Sequence, residues 1–379
     1  MKKILVLTLS LSAFLCADEF VEYGPSIGGY GEIHYNMEGE ELDYHRYIFY
    51  IDNVFDDKWS FKSEVEIEHN MVGAGNDGYI AIEQAYLNYN GGNWGFKGGV
   101  VLVPVGITNE YHEPPTFLSV ERPEYSKYII PTTWFGNGFQ FYGSLGDVNW
   151  KFNLMEDLDG SGIGDGIRSG RAKGEDSYTT DWTKTLQLSW TGMDGLKVGG
   201  SVTMNDAPIM AADGYWSLEG TGGCQDSYGD SVAIGNENDC TDGTTHSWTV
   251  PAVENTWNDA VTASTVGVQL MEVNATYSKN NLYARLEYGS IDYTDNPKAE
   301  SSSGYYLDLG YDVSSMLGCD GKLMPWMRTS SYNKDDNGDA TDISLFGVTY
   351  WPNENVSLKF EMGSKNDDDV MRMGLGYMF

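Results

Sequence analysis

Long hydrophobic runs are almost absent from this sequence. The only substantial one, "ILVLTLSLSAFL" at residues 4–15, follows Lys2 and Lys3 and precedes Ala17 and an acidic stretch. This run is shorter than the ~20 apolar residues that a membrane-spanning helix needs. A basic start, a short apolar run and a small residue are typical of a secretory signal. We therefore expect residues 1–17 to be a signal peptide and residues 18–379 to form a single domain without transmembrane helices.

Cysteine is also scarce, with four residues in the chain. Cys16 would leave with the signal peptide, and the "AFL" before it lacks the small residue expected ahead of a lipidated cysteine. Cys319 stands alone in a short turn. Cys224 and Cys240 lie in one polar loop, and an exported protein meets an oxidising space. We predict a disulfide between Cys224 and Cys240, with two free thiols as the alternative.

Basic residues are few as well: 23 Lys and Arg stand against 56 Asp and Glu, a formal charge of −33. Cleavage after Ala17 would remove two lysines and no acid, which makes the mature chain more negative still. Such an excess argues against binding to nucleic acid or to an anionic lipid surface. It suits a surface that binds divalent cations or repels anions.

Catalytic motifs are missing too. None of the five histidines lies in HExxH, and GxSxG does not occur. We therefore expect no enzymatic activity and no catalytic residue. A barrel hydrolase would need only one serine–histidine pair on neighbouring strands, so a hydrolase remains an alternative, as does a surface adhesin.

Strict alternation of apolar and polar residues is what the sequence has in abundance. The chain ends in "MRMGLGYMF", in which every second residue is apolar and the last is a bare phenylalanine. A period of two indicates a β-strand with one apolar face, and such faces point at lipid in transmembrane barrels. The 46 glycines and 26 tyrosines fit crowded barrel walls and aromatic girdles at the membrane interfaces.

Sixteen segments alternate in this way. They are Ser26–Asn36, Tyr44–Phe55, Trp59–His69, Ile80–Asn90, Trp94–Val101, Gly138–Leu145, Val148–Leu154, Trp182–Thr191, Leu196–Met204, Val266–Ser278, Leu282–Ile291, Gly304–Val313, Lys322–Tyr332, Thr341–Trp351, Val356–Gly363 and Val370–Phe379. Short polar turns alternate with longer acidic connections between them. This pattern predicts an all-β fold, a 16-stranded antiparallel transmembrane β-barrel with short periplasmic turns and long extracellular loops.

Other architectures fit the segments less well. A soluble β-sandwich or repeat protein would also alternate, but would not need sixteen strands of about ten residues with one apolar face throughout. Fourteen and eighteen are the neighbouring strand counts. The segment Val266–Ser278 changes phase midway, which suggests a β-bulge.

Two loops are much longer than the others. The third long loop, Leu102–Asn137, contains five prolines and many aliphatic and aromatic residues, so we expect it to fold into the barrel and form a constriction. The other, Asn205–Thr265, holds ten acidic residues and no Lys or Arg. We expect it to be an extracellular loop, since loops of this length are functional or mobile.

The sequence resembles Gram-negative outer-membrane porins of the phosphate-selective porin O and P family. The first strand contains "GGYGEIHYN", the block Lys97–Gly143 contains "KGGVVLVPVGITNEYHEPPTFLSVERPEYSKYIIPTTWFGNGFQFYG", and the chain ends in Phe379. The resemblance implies a homotrimer of 16-stranded barrels with an inward third loop, located in the outer membrane. It also implies passive diffusion of small hydrophilic solutes and ions, and reading of Phe379 by the barrel-assembly machinery.

Candidate pore residues come from the loop and from the alternation of the strands. The expected constriction residues are Glu110, Glu113, Glu121, Arg122, Glu124 and Lys127. The expected lumen-facing bases are Arg46, Lys62, Lys97, Lys151, Lys197, Arg285, Lys359 and Arg372. The expected lumen-facing acids are Glu32, Glu64, Glu66, Glu68, Glu287, Asp308, Asp312 and Glu361. Acids on the loop would then face wall bases near Arg46, Lys62, Arg285 and Arg372, unless these are ordinary solvated charges.

This balance departs from the resemblance, because phosphate-selective members line the pore with many arginines and lysines. The wall has as many acids as bases, and the loop has four glutamates against two bases. We therefore predict a weak preference for cations, with an anion- or phosphate-selective porin as the alternative.

Two acidic loops resemble calcium sites. "EDLDGSGIGDG" offers Asp157, Asp159 and Asp165, while "KDDNGDATD" contributes Asp335, Asp336 and Asp339. Carboxylate oxygens are ligands that Ca²⁺ prefers, and acidic loops can bridge lipopolysaccharide phosphates through divalent ions. Solvated turns are the alternative, and no other cofactor is expected.

Overall fold

The computed structural model describes most of the chain. The described residues are 23–73, 78–175, 177–211, 215–217, 223–225, 231–232, 247–249, 256–258, 261–336 and 338–379. The predicted signal peptide (residues 1–17, with Cys16) and Cys240 lie outside these ranges. The disulfide between Cys224 and Cys240 therefore stays a prediction.

Sixteen strands form one closed antiparallel barrel in which neighbours along the chain are neighbours in the sheet. Nine precede the long acidic loop: β1 Gly24–Asn36, β2 Glu41–Val54, β3 Trp59–Glu68, β4 Tyr79–Asn90, β5 Trp94–Leu102, β6 Phe135–Leu145, β7 Val148–Met155, β8 Thr183–Met193 and β9 Leu196–Ile209. Five short strands follow in that loop: β10 Tyr215–Ser217, β11 Gly223–Gln225, β12 Ser231–Val232, β13 Ser247–Thr249 and β14 Thr256–Asn258. The barrel resumes with β15 Ser264–Lys279, β16 Leu282–Thr294, β17 Ser301–Tyr311, β18 Lys322–Asn333, β19 Thr341–Asn353, β20 Val356–Lys365 and β21 Asp368–Met378.

The predicted fold is confirmed, because each of the sixteen alternating segments is a barrel strand. Most observed strands extend the predicted segments by one to five residues. Four predicted ends overshoot the strand by one residue, and the segment Gly304–Val313 overshoots by two: β17 ends at Tyr311, and Asp312 accepts the backbone N–H of Ser314 at 3.0 Å. Asp312 therefore belongs to a turn rather than to the lumen wall.

The two ends of the chain close the barrel. β1 pairs with β21, with Tyr30 opposite Met378. Phe379 extends this ladder: its N–H donates to the carbonyl oxygen of Gly29 at 2.9 Å, and its own oxygen accepts the Gly29 N–H at 3.0 Å. Its ring stacks on Tyr47, with centroids 6.0 Å apart. The last residue is thus part of the seam.

The two faces of the barrel wall differ in polarity. On β6, Phe139 and Phe141 point outward and are exposed, while Gln140 between them is buried on the inner face. β8 repeats the pattern, with Leu186 outside and Gln187 inside. An apolar outer belt around a polar interior is the arrangement that a bilayer requires of a barrel. Among the described residues, no helix is long and apolar enough to cross a membrane.

The predicted bulge in Val266–Ser278 is absent from its ladder with β16, which runs from Gly267 to Lys279 without a register shift. Register shifts occur elsewhere, including between Glu64 and Val65 in the β3–β4 pair. There Glu64 faces Gln84 and Val65 faces Ile82, so Glu83 is an extra residue on β4.

A second compact unit, Ile209–Ser264, falls within the predicted long acidic loop. Its described strands form two small antiparallel sheets. β10 pairs with β14, and β11 pairs with both β12 and β13.

Two further segments carry short helices. The first, residues 103–134, contains the helices Ile107–Glu110 and Tyr125–Tyr128 and the 3₁₀ turn Pro114–Thr116. The second, residues 156–182, contains the 3₁₀ turns Gly160–Gly162 and Arg168–Gly170. A one-turn helix, Ser314–Leu317, lies in the turn between β17 and β18.

Candidate pore and constriction

The third long loop fills part of the barrel interior. Its apolar side chains are almost fully buried, including Val105, Phe117, Tyr125 and Ile129, each at most 1% exposed. These side chains would contact water if the loop lay outside the barrel. Their removal from water is therefore the main contribution to the free energy that holds the loop inside. The sequence-based expectation that this loop folds inward agrees with its placement.

The loop reaches the far side of the barrel and binds there through its backbone. The N–H of Ile107 donates to Glu287 on β16 at 2.9 Å, and the N–H of Val120 donates to Glu361 on β20 at 2.8 Å. Lys359 on β20 donates to the carbonyl oxygen of Ser119 at 2.8 Å. These strands lie at least five positions from β5 and β6 in the ring of sixteen. Charged wall residues therefore act as anchors for the loop.

Small residues on the wall make room for these contacts. A Cβ on Gly376 of β21 would come within 2.3 Å of Cβ of Pro114, and a Cβ on Gly289 of β16 would come within 2.5 Å of the Tyr125 hydroxyl. Both distances are well below van der Waals contact. Larger residues at these positions would push the loop off the wall.

A second segment, residues 156–182, also packs inward, which no pattern in its sequence had led us to predict. Its side chains Leu158, Ile163 and Ile167 are at most 5% exposed. Arg171 donates to the carbonyl oxygens of Thr132 and Thr133 at 2.6 and 3.0 Å. This segment therefore packs against the third loop and stabilises its position.

The same segment contains three of the proposed calcium ligands, and each has protein partners instead. Asp157 is buried and accepts the N–H of Thr180 at 2.5 Å, Asp159 accepts from Ser161 at 2.9 Å, and Asp165 pairs with Lys334 at 2.7 Å.

In the second acidic loop, Asp336 accepts the backbone N–H groups of Glu300 and Ser301, each at 3.3 Å. Asp335 and Asp339 do not join it in a metal-like group within the part of the chain that the structure describes. The geometry gives no support to calcium at these loops.

A water-accessible cavity of about 640 Å³ lies between the inward segments and strands β1–β3 and β21. Its lining includes seven carboxylates: Glu32, Glu41, Asp43, Glu66, Glu68, Glu121 and Glu124. It includes six bases: Arg46, Arg122, Lys127, Arg168, Lys173 and Arg372. His34, His45 and His69 also line it. This cavity is the candidate solute path.

Acids and bases line different sides of this cavity, and their arrangement is the reverse of the one that we expected. The wall strands supply five of the seven acids and only Arg46 and Arg372 as bases. The inward segments supply the other two acids and the bases Arg122, Lys127, Arg168 and Lys173. We expected acids on the loop to face bases on the wall. The reason for the difference is that four of the eight predicted wall bases contact the third loop instead: Lys151, Lys197, Arg285 and Lys359. Segment 156–182 also adds bases that we had not assigned to the pore.

The six predicted constriction residues divide into two groups. Glu121, Arg122, Glu124 and Lys127 line the cavity, whereas Glu110 and Glu113 do not. Burial alone raises the pKa of Glu110, but its ion pair with Lys151 and the Gln187 amide, which donates to it at 2.6 Å, lower that pKa overall.

The pKa values of the buried Glu113 and of the lining Glu121 shift in opposite directions. Burial raises the pKa of Glu113, and the neighbouring His112 offsets this only in part. Burial also acts to raise the pKa of Glu121, but His34, whose Nδ1 lies 2.8 Å from it, holds that pKa well below the usual range. Glu121 is therefore an anion in the cavity.

The sixteen predicted wall residues divide similarly. Five of them line the cavity: Arg46, Arg372, Glu32, Glu66 and Glu68. Arg46 pairs with Glu32 at 2.7 Å and with Glu66 at 3.3 Å. Those outside the lining include Lys62, Glu64, Arg285, Glu287 and Lys359. Arg285, Glu287 and Lys359 bind the backbone of the third loop instead.

Several residues that line the cavity were not predicted as pore residues from the sequence. The rings of His34 and His45 stack with centroids 4.8 Å apart, and Asp43 lies 2.9 Å from His45 and 2.8 Å from His69. Arg168 and Lys173 follow closely after "EDLDGSGIGDG", which we had interpreted as a calcium loop, and we had assigned neither to the pore. The alternation of β1 placed Glu32 inside, and His34 lies two residues further on, but spacing alone does not show that three strands bring their histidines together.

No protein-family model matches the chain. An "Uncharacterized protein" of Aquifex aeolicus (strain VF5) is 28% identical over 391 residues, which cover 95% of this chain and 81% of that protein. Among solved structures, a Salmonella typhi OmpF complex with daunomycin is similar, with 10% identity and a TM-score of 0.57 over 94% of this chain and 98% of that one. A loop L8 deletion mutant of OmpT, an outer membrane protein of Vibrio cholerae, has 12% identity and a TM-score of 0.55 over 94% and 99%.

At these identities the similarity establishes the fold. The closed ring of sixteen antiparallel strands, the apolar outer belt and the inward third loop were all derived above from the chain itself. The chain therefore folds as a 16-stranded porin-type barrel.

Proposed function

We propose that this protein is a porin in the outer membrane of a Gram-negative bacterium, where it lets small hydrophilic solutes and ions diffuse passively. The observation that carries the proposal is the third loop, which crosses the barrel interior and is anchored at Glu287 and Glu361 beside a charged cavity. A constriction with opposing charges is what a selective diffusion pore needs. Diffusion requires no catalytic group, so the proposal includes no enzymatic activity.

The proposed assembly is a homotrimer inserted by the barrel-assembly machinery and surrounded by outer-membrane lipid and lipopolysaccharide. OmpT of Vibrio cholerae has been solved in a trimer form with the same overall fold, at 12% identity and a TM-score of 0.52. Trimers would bury part of the apolar belt, of which Phe139, Leu186 and Phe346 are exposed in the single chain.

For selectivity we propose a weak preference for cations. The cavity has seven carboxylates against six Lys and Arg, and the segment Asn205–Thr265 adds ten acids and no base. The second candidate is an anion- or phosphate-selective porin. One observation favours it: the inward segments present four bases, Arg122, Lys127, Arg168 and Lys173, to the cavity.

Single-channel recording in planar bilayers tests the proposal. We expect stepwise conductance from purified protein, and in a KCl gradient a small reversal potential of cation-selective sign. Heat-unfolded protein in the same detergent is the control. Absence of steps from folded protein would reject the porin and favour the hydrolase or adhesin. An anion-selective sign, with phosphate blocking the current, would favour the second candidate.

A further inference from the structure

Three acceptor atoms meet in a pocket between the third loop and the wall, outside the cavity lining. Nε2 of His112 lies 3.5 Å from Oε1 of Glu64 and 3.6 Å from Oε2 of Glu83. All three ligand atoms lie within 4.8 Å of one another. Glu83 is fully buried, and Glu64 and His112 are each 2% exposed.

Among the residues that the structure describes, none of these atoms has a partner at hydrogen-bond distance. Both oxygens of Glu83, Oε1 of Glu64 and Nε2 of His112 are buried without one. A buried carboxylate with neither oxygen satisfied is costly, because burial removes its hydration and nothing replaces it. The separations of 3.5 and 3.6 Å are too long for hydrogen bonds of useful strength.

The orientation of the His112 imidazole adds to the cost of leaving these atoms unpaired. Nδ1 of His112 lies 3.1 Å from the carbonyl oxygen of Asn109, which can only accept, so Nδ1 carries the hydrogen. In the neutral ring Nε2 then points a lone pair at two carboxylates. A cation must lie among these three atoms to make the arrangement favourable.

A β-bulge brings the second carboxylate into the pocket. Glu83 is the extra residue of β4, because Glu64 pairs with Gln84 and the next residue, Val65, pairs with Ile82. Bulges redirect side chains and cluster at functional sites. Gln84 donates to the other oxygen of Glu64, Oε2, at 2.5 Å, which leaves Oε1 directed at His112.

We propose that Glu64, Glu83 and His112 bind a divalent transition-metal ion, with Zn²⁺ as the first candidate. Zinc bonds to nitrogen and to carboxylate oxygen are about 2.0–2.2 Å long, so donors at tetrahedral angles lie roughly 3.3–3.6 Å apart. The two separations from Nε2 of His112, 3.5 and 3.6 Å, have this size, and the two carboxylate oxygens lie within 4.8 Å of each other. Two carboxylates would balance the charge of the ion, and an imidazole ligand favours a transition metal over calcium or magnesium.

Neighbouring groups also orient two of the proposed ligands. The Nδ1–H···O contact to Asn109 fixes the ring, and the Gln84 amide fixes Glu64, as outer-shell groups do around metals. The ion would tie the third loop to β3 and β4, a wall that the anchors at Glu287 and Glu361 do not reach. This site does not depend on which solute the channel passes.

A proton is the competing cation. Burial lowers the pKa of His112, but the two carboxylates raise it more, and the result is about 10. A metal-free His112 would therefore be an imidazolium between two carboxylates. Metal analysis distinguishes the two states.

The test uses full-length protein purified in folded form, stripped with EDTA, incubated with Zn²⁺, desalted and analysed for metal by mass spectrometry. We expect one Zn²⁺ per chain in the wild type and loss of this ion in Glu83→Gln and His112→Asn. Glu272→Gln and His69→Gln remove a buried lumen carboxylate and an imidazole elsewhere, and should keep it. Gln84→Leu should weaken binding roughly 10–100-fold through loss of the outer-shell contact.

X-ray absorption at the zinc edge on the wild type provides a readout that needs no variant to fold. One imidazole with oxygen ligands supports the site. Folded wild-type protein that retains no Zn²⁺ after this incubation would overturn the proposal and assign a protonated His112 to this position. Unchanged zinc content in folded Glu83→Gln and His112→Asn would also overturn it.

Discussion

Glu361 and Val120 are 241 positions apart in the chain, yet the carboxylate of Glu361 accepts the backbone N–H of Val120 at 2.8 Å. The same carboxylate pairs with Arg372 at 3.0 Å. One buried wall residue thus connects a lining base to the loop that narrows the barrel. The position of the third loop and the charge of the cavity are therefore coupled.

Glu361→Ala should loosen the third loop. The change leaves the Val120 N–H without an acceptor and Arg372 without its carboxylate, and hydrogen bonds to charged groups are worth about 1.5–3 kcal/mol. We expect larger or noisier single-channel conductance than in the wild type. Glu354→Gln, in an exposed turn, is the matched control. Unchanged current traces in folded Glu361→Ala would show that the loop does not depend on this anchor.

The strands were predictable because barrel strands alternate in a way that single sequences preserve. Each of the sixteen segments was found, and the errors lie at their ends. The inward third loop was also predictable, because residues such as Phe117 and Ile129 would otherwise be exposed.

The partners of the loop were not predictable in the same way. Alternation gives the face of a residue but not its height or its distance across the lumen. Lys359 and Glu361 were correctly placed inside, but the sequence does not show that they bind loop backbone rather than water.

The bulge on β4 shows a second reason why alternation does not predict every inward-facing residue. Ile82 and Leu87 both face outward, 53% and 42% exposed, although their spacing is odd. Strict alternation from either end would therefore place part of this strand on the wrong face. Glu83 was absent from our list of wall residues.

Deletion of Phe379 should impair assembly while secretion continues. Phe379 makes two backbone hydrogen bonds to Gly29 at the β1–β21 seam, and its ring stacks on Tyr47. We expect less heat-modifiable barrel in outer-membrane fractions, with unfolded chain in the periplasm. Phe379→Tyr keeps the aromatic ring and the backbone contacts and is the control. Wild-type barrel levels after the deletion would contradict a role for this residue in assembly.

A disulfide between Cys224 and Cys240 remains a prediction, since Cys240 lies outside the described residues. The two cysteines are separated by a polar stretch that contains two glycines, in a chain that we expect to be exported. Mass spectrometry of protein alkylated in intact membranes, without reductant, should find the pair linked and Cys319 alkylated, because Cys319 is exposed and free. Alkylation of all three thiols would refute the linkage.

Removing bases and removing acids from the cavity should change the cation preference in opposite directions. Neutralising the lining bases of segment 156–182 (Arg168→Gln with Lys173→Gln) should strengthen the cation preference, because the cavity would retain all its acids. Neutralising the lining wall acids (Glu41→Gln with Glu68→Gln) should weaken it. The screening length is about 10 Å at 0.1 M salt, so both effects should grow as salt is diluted. Reversal potentials in KCl gradients measure them.

The glutamates of the third loop provide the sharper test of where the solute path lies. Because the sequence assigns Glu110, Glu113, Glu121 and Glu124 to the constriction, it predicts that neutralising all four removes most of the cation preference. Only the last two line the cavity. The double variant Glu121→Gln and Glu124→Gln should therefore shift the reversal potential as far as all four changes do. The control is Glu113→Gln, a buried glutamate that lies outside the lining and whose pKa is raised by burial. It should leave selectivity unchanged, because solutes do not pass it. A large shift from this single change would place the path elsewhere and assign the cavity beside β1–β3 a different role.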